Sequence, residues 1–172
     1  MNSIDLALLV VRVFFGISLA AHGYNKFFGK GGLSGTTGWF GSIGMKWPKW
    51  QARIAATTEV GAGILLALGL GTPLAAAGFI GLMIVAIVVA HWENGFFVFK
   101  PGQGWEYCAS IAIVAFALGT IGPGKYSIDH LLNSDDFTYY TGWTGALITV
   151  LLGVGGAVAQ LSLSYRKPAP KA

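Results

Sequence analysis

The sequence predicts an all-α, polytopic membrane bundle: a four-helix core followed by a fifth, C-terminal transmembrane helix. Three observations carry this. Of 172 residues, 54% are hydrophobic and 10% charged, against about 25% charged in soluble domains, so most of the surface cannot face water. Five apolar stretches approach the roughly 20 residues that a membrane helix needs. The 26 glycines suit close helix packing in lipid. A β-barrel is excluded, because barrel strands alternate apolar and polar residues over roughly 10 positions and these runs are apolar on every side.

The first predicted helix covers 6–28. It opens Met1-Asn2-Ser3-Ile4-Asp5 without a cation, and Arg12 interrupts its apolar run, so it reads as a retained helix rather than a signal peptide. The second covers 52–70 and ends at Gly71-Thr72-Pro73, where proline suits the next helix start. The third covers 74–92. The fourth covers 104–121 and stops at Gly122-Pro123-Gly124. The fifth covers 143–163. Residues 1–132 form the core, and 133–172 form a linker, the fifth helix and a basic tail. The single cysteine, Cys108, permits no disulfide within the monomer and reads as a small apolar helix residue.

Charge sets the expected orientation. With five spans, Lys26, Lys30, Lys46, Lys49, Arg53, Lys100, Arg166, Lys167 and Lys171 share one side. The other side holds Lys125 beside Asp5, Asp129, Asp135 and Asp136. Lys and Arg loops stay cytoplasmic, which predicts a multi-pass protein of the bacterial cytoplasmic (inner) membrane with its N-terminus out and C-terminus in. Dropping the fifth span would spoil this asymmetry. The basic residues flank the membrane, which suits anionic lipid headgroups rather than nucleic acid.

Two connections are unusual. Residues 38–50 contain Trp39, Trp47, Trp50, Lys46 and Lys49, a composition suited to lying in the headgroup layer; the alternative is that the aromatics cover a site. Residues 94–105 are apolar but broken by glycine and proline, as in a segment that dips into the bilayer boundary behind protein.

Ionisable residues inside the apolar helices mark the candidate site, because an intramembrane charge is costly and leans functional. At about 1.5 Å per residue, His22 lies about 9 Å and Glu59 about 10 Å below the cytoplasmic boundary, and His91 and Glu106 lie within about 3 Å of it. Lys26 is one turn from His22 on the same face. His22, Lys26, Glu59, His91 and Glu106 thus share one layer on four helices. Arg12 lies about 15 Å beyond His22 and reads as a structural charge, reaching Glu59 at full stretch, snorkelling outward or bonding backbone carbonyls. The alternative for every member is register-fixing pairs and carbonyl-satisfied histidines. Two histidines and two carboxylates can exchange protons or hydrogen-bond a quinone head group. Their spacing matches no metal-ligand motif, so no metal is expected.

These residues also carry a family resemblance. Arg12-x-x-x-Gly16, Ala21-His22-Gly23-x-x-Lys26-Phe27-Phe28-Gly29, Glu59-x-Gly61-x-Gly63 and Leu68-Gly69-Leu70-Gly71-Thr72-Pro73 appear in order. Glu106 and Leu118-Gly119-Thr120-Ile121-Gly122-Pro123-Gly124-Lys125-Tyr126-Ser127-Ile128-Asp129 follow. Over about residues 4–132 the chain resembles the DoxX family of small bacterial membrane proteins. The resemblance implies a four-helix membrane core and a link to respiratory redox chemistry, since the family takes its name from a subunit associated with quinol oxidase and thiosulfate:quinone oxidoreductase. The fifth helix departs from that pattern. Gly153, Gly155 and Gly156 would admit a partner helix closely or pack on the chain's own bundle.

The expected function is a redox-linked, quinone-associated membrane subunit, with a quinone or bound lipid as ligand. The chain has no evident haem, flavin or iron–sulfur motif and no self-contained catalytic motif, so electrons would come from a partner. The alternatives are a non-catalytic accessory subunit that contacts other membrane subunits or itself, and a small-molecule or lipid transporter. The last would lack the usual inverted repeat.

Overall fold

The computed structural model describes residues 3–132 and 140–168. Within them run α1 (Ser3–Phe28), α2 (Gly32–Ser42), α3 (Pro48–Leu68), α4 (Thr72–Ala86), α5 (Glu106–Ile121), α6 (Ile128–Leu132) and α7 (Gly142–Ser164). α4 continues through a π turn, Ile87–His91, and a 3-10 turn, Trp92–Asn94. The five expected helices are α1, α3, α4, α5 and α7, and the described residues contain no strand. Asp135, Asp136, Lys171 and most of the expected linker lie outside the described residues.

The boundaries moved for local reasons. α3 starts at Pro48 rather than 52, because proline needs no N–H partner in a first turn. It ends at Leu68 because Gly69 turns left-handed, φ 66°, and the Gly69 and Leu70 amides bond back to carbonyls of the last turn. α2 lies in the connection between the first two predicted helices, where no helix is predicted. Its Thr36 and Thr37 hydroxyls donate to the carbonyls one turn back, and buried Phe40 packs with Met45, Ala52 and Ala55.

Among the described residues, three helices are long and apolar enough to cross a membrane: Ser3–Phe28, Thr72–Asn94 and Gly142–Ser164. α3 has the length but carries Lys49, Arg53 and Glu59. α5 has 16 residues, about 24 Å, short of the roughly 30 Å of a hydrocarbon core. These two rely on their neighbours. α4 is the central element, packed against α3, α5 and α7, while α1 packs mainly on α3. Its floor is small: Ala75, Ala76 and Ala77 are buried, and Phe79, Ile80 and Met83 complete the core with Leu19, Leu66, Ile111 and Leu118.

The α1–α3 contact is made backbone to backbone. A Cβ on Gly16 would stand 2.6 Å from the Gly63 carbonyl, and one on Gly23 would stand 2.7 Å from the Ala56 carbonyl. α7 docks on its own bundle through Gly153 against Ala77 and Ile80, and through Thr149, whose hydroxyl donates to Pro73 O at 3.2 Å. Gly155 and Gly156 face open space. The chain then returns across the α2–α3 connection: Lys46 N donates to Ser164 O at 2.6 Å, Arg166 N donates to Gly44 O at 2.9 Å, and Lys167 pairs with Glu93.

The two ends of the bundle differ. At one end Arg12 is 1% exposed. Its Nε donates to Pro123 O at 3.1 Å and its Nη1 to the Ala67 carbonyl, so it bonds carbonyls and does not reach Glu59. Asp129 accepts from Gly71 N at 2.9 Å and Thr72 N at 3.2 Å, capping α4, and Asp5 accepts from Lys125 N at 3.0 Å. The opposite end gathers Lys26, Lys30, Lys46, Lys49, Arg53, Lys100, Arg166 and Lys167, by the position of the helix ends that carry them.

Gly63→Ala should destabilise the protein by about 1–3 kcal/mol, because its Cβ meets α1 backbone at 2.5 Å with no room to yield. Gly155→Ala, into open space, should be neutral or stabilising by up to about 1 kcal/mol. Thermal unfolding of both variants in one detergent checks the contrast.

Candidate functional site

The α1–α3 crossing brings Lys26 onto Glu59. Lys26 Nζ donates to Glu59 Oε1 at 2.6 Å, and the Glu59 side chain is 10% exposed. Glu59 Oε2 is buried with no hydrogen-bond partner among the described residues. Trp39, from α2, borders the same space as the pair.

Beside the pair lies a partly open cavity of about 290 Å³ between α1, α3, α4 and α5, bordered by the connection after α4. Its polar lining is Ser18, His22, Lys26, Glu59, His91 and Gln103. Its apolar wall includes Phe15, Leu19, Phe79, Met83 and Ile111, with Tyr107 and Cys108 beside them. A mostly apolar concavity with few convergent polar groups is the usual form of a small-molecule site.

His91 ends the π turn, and such turns recur at functional sites. Its Nδ1 lies 2.8 Å from Gln103 O. A carbonyl only accepts, so Nδ1 carries the proton, and Nε2 of the neutral ring is an acceptor. Gln103 itself is left-handed, φ 60°, a conformation that costs a non-glycine residue about 1–2 kcal/mol. Asn94 Nδ2 holds this stretch by donating to Gly102 O at 2.7 Å and Ala90 O at 3.1 Å. His22 is exposed along α1 at the cavity rim, within electrostatic reach of Glu59.

The structure therefore brings His22, Lys26, Glu59 and His91 to one cavity. It does not bring Glu106, whose Oε2 accepts from Val98 N at 3.2 Å and whose amide donates to Phe96 O; it braces the aromatic loop. Arg12 is at the far end. The described residues hold no cluster of three or more His, Cys, Asp or Glu fit for a metal. Sequence reasoning missed Gln103, Tyr107 and Cys108. Tyr107 and Cys108 adjoin Glu106, and only the rotation of α5 puts them in the wall. Of the tryptophans between 38 and 50, all three are exposed, but only Trp39 also lines the cavity, and Arg53 stands over the Trp50 ring.

The fold and the composition define a helical membrane protein with a buried ion pair beside an apolar cavity. Residues 7–92 match the DoxX family model, half of the chain, and the protein belongs to the DoxX family. The matched stretch contains Arg12, His22, Lys26, Glu59 and His91 and ends before Glu106. The chain is also similar to "Putative oxidoreductase CatD" of Bacillus subtilis (strain 168), 36% identical over 95 residues, which is 55% of this chain and 67% of that protein. No solved structure matches.

Lys26→Met should cost about 3–5 kcal/mol, because it strands a buried carboxylate. Lys26→Met combined with Glu59→Gln should recover most of that loss. A double-mutant cycle from thermal unfolding measures the coupling, and additive losses would remove the pair from the structural account.

Proposed function

We propose that this protein is a redox-linked, quinone-associated subunit of the bacterial cytoplasmic membrane, with its polar site on the cytoplasmic side, its N-terminus outside and its C-terminus inside. The observation that carries the reading is the cavity of about 290 Å³ in which His22, Lys26, Glu59 and His91 meet aromatic and aliphatic walls. The description of the Bacillus relative as an oxidoreductase supports the redox class. The eight described cations at the Lys26 end support the orientation, since such loops stay cytoplasmic.

In this reading the quinone ring sits against Phe15, Phe79 and Met83. Lys26 Nζ has N–H groups beyond the one given to Glu59 and donates to a ring carbonyl. His22, at the rim, exchanges protons with the aqueous side, and the Lys26–Glu59 pair passes them inward. His91 fixes the loop that excludes water. Electrons arrive from a partner protein docked in or on the membrane.

Protein purified in mild detergent should yield quinone in near-stoichiometric amount on organic extraction. Glu59→Gln, which weakens the hold on the Lys26 donor, and His22→Ala, which opens the cavity rim, should each lower that amount about tenfold, while Glu59→Gln keeps its melting temperature close to the parent. Absence of quinone from parent protein, or equal retention by all three proteins, would overturn the reading.

A further inference from the structure

Lys26 and Glu59 also stand at the end of a second cavity. It has a volume of about 400 Å³ and lies between α3, α4 and α7. Its floor follows α4 and its π turn from Leu74 to Val89, a rise of about 22 Å. That volume drawn over that length makes a narrow slot. Small residues keep it open: Ala77 and Gly81 on α4, and Gly156 on α7, where an added Cβ would meet nothing within 4 Å. Ile54, Leu74 and Leu152 on its rim are exposed, so its mouth faces the apolar surroundings of the bundle. Trp39 and Phe40 close the Lys26 end, beside the bond from Gln160 Nε2 to Gln51 Oε1 at 2.7 Å.

An apolar slot alone names no ligand. The second observation is Glu59, which lines the slot with a side chain nine-tenths buried. Oε1 is taken by Lys26, and Oε2 has no donor among the described residues. A carboxylate oxygen can only accept, and a buried acceptor left unpaired is destabilising. Lys26 already balances the charge, so the missing complement is a neutral donor rather than a cation. A phospholipid fits poorly, because it brings two chains and a phosphate against a carboxylate. A fatty acid sets carboxylate against carboxylate.

We propose that this slot is a second ligand site, which takes the single hydrocarbon chain of a neutral amphiphile whose hydroxyl donates a hydrogen bond to Glu59 Oε2. The slot shares Lys26, Trp39, Glu59, Met83 and Ala86 with the His22 cavity and has most of the rest of its lining on α3, α4 and α7; it goes beyond the quinone reading, on which it does not depend.

The test uses the full chain in lipid nanodiscs, labelled with hexadecanol that bears a photoreactive diazirine on its chain. Peptide mapping should place the label on α3, α4 and α7 residues of the slot. Unlabelled hexadecanol should compete about tenfold better than its methyl ether, which has no donor. Gly156→Leu fills the slot without meeting backbone and should abolish the labelling. Gly155→Leu, the same change one residue away and outside the slot lining, should leave it intact. Unchanged labelling in Gly156→Leu, or equal competition by alcohol and ether, would overturn the proposal. Label confined to the residues around His22 would also overturn it while leaving the quinone reading standing.

Discussion

The approach of α1 to α3 is the constraint on which the rest depends. Gly16, Gly23 and Gly63 allow the two backbones to touch, and any side chain at these positions would collide with main-chain atoms. In lipid there is little hydrophobic drive to bring helices together, so close van der Waals packing at small residues does that work. The consequence at the site is direct. With the axes so near, Lys26 reaches Glu59 at 2.6 Å and neutralises a carboxylate that would otherwise be unaffordable in the bundle interior.

The opposite end supplies rigidity. Arg12 joins three parts of the chain by donating to carbonyls of Ala67 and Pro123 from α1. Gly69 must be glycine there twice over: it is left-handed, and a Cβ would stand 2.8 Å from Arg12 Nη1. Asp129 caps α4 from outside that helix, accepting from the amides of Gly71 and Thr72 and from the Thr72 hydroxyl. With α4 held at its start, its far end can depart from α-helical geometry. The π turn at Ile87–His91 and the left-handed Gln103 are local distortions at the cavity, and packed neighbours sustain them.

The pieces that relate this chain to the DoxX family thus divide by location. Arg12, Leu68 to Pro73, and the run from Gly122 to Asp129 build the lock at one end. His22, Lys26 and Glu59 surround the cavity at the other. Glu106 belongs to neither group, since it braces the loop above the cavity. A carboxylate at the entrance of a helix can serve the backbone of a neighbouring turn as readily as a ligand.

The five long helices, their apolar character and the axial height of each ionisable residue were legible in the sequence. Height follows from a rise of about 1.5 Å per residue, and apolar length follows from composition. Thus His22 and Glu59 could be put at one level, and Arg12 at another, before any fold was known. Rotation about each axis was not legible, because it depends on which faces pack. It puts Tyr107 and Cys108 in the cavity wall and Glu106 outside it. It also turns Glu59 toward Lys26 and Gln160 toward Gln51. α2 was hidden because eleven glycine-rich residues carry almost no helical periodicity, and its docking through Phe40 is a tertiary effect. The sequence by itself determined a membrane helix bundle with charges at a given height along each helix. Only the tertiary structure decided which charges meet, because contact between helices is set by azimuth and close approach, and neither is a property of one segment alone.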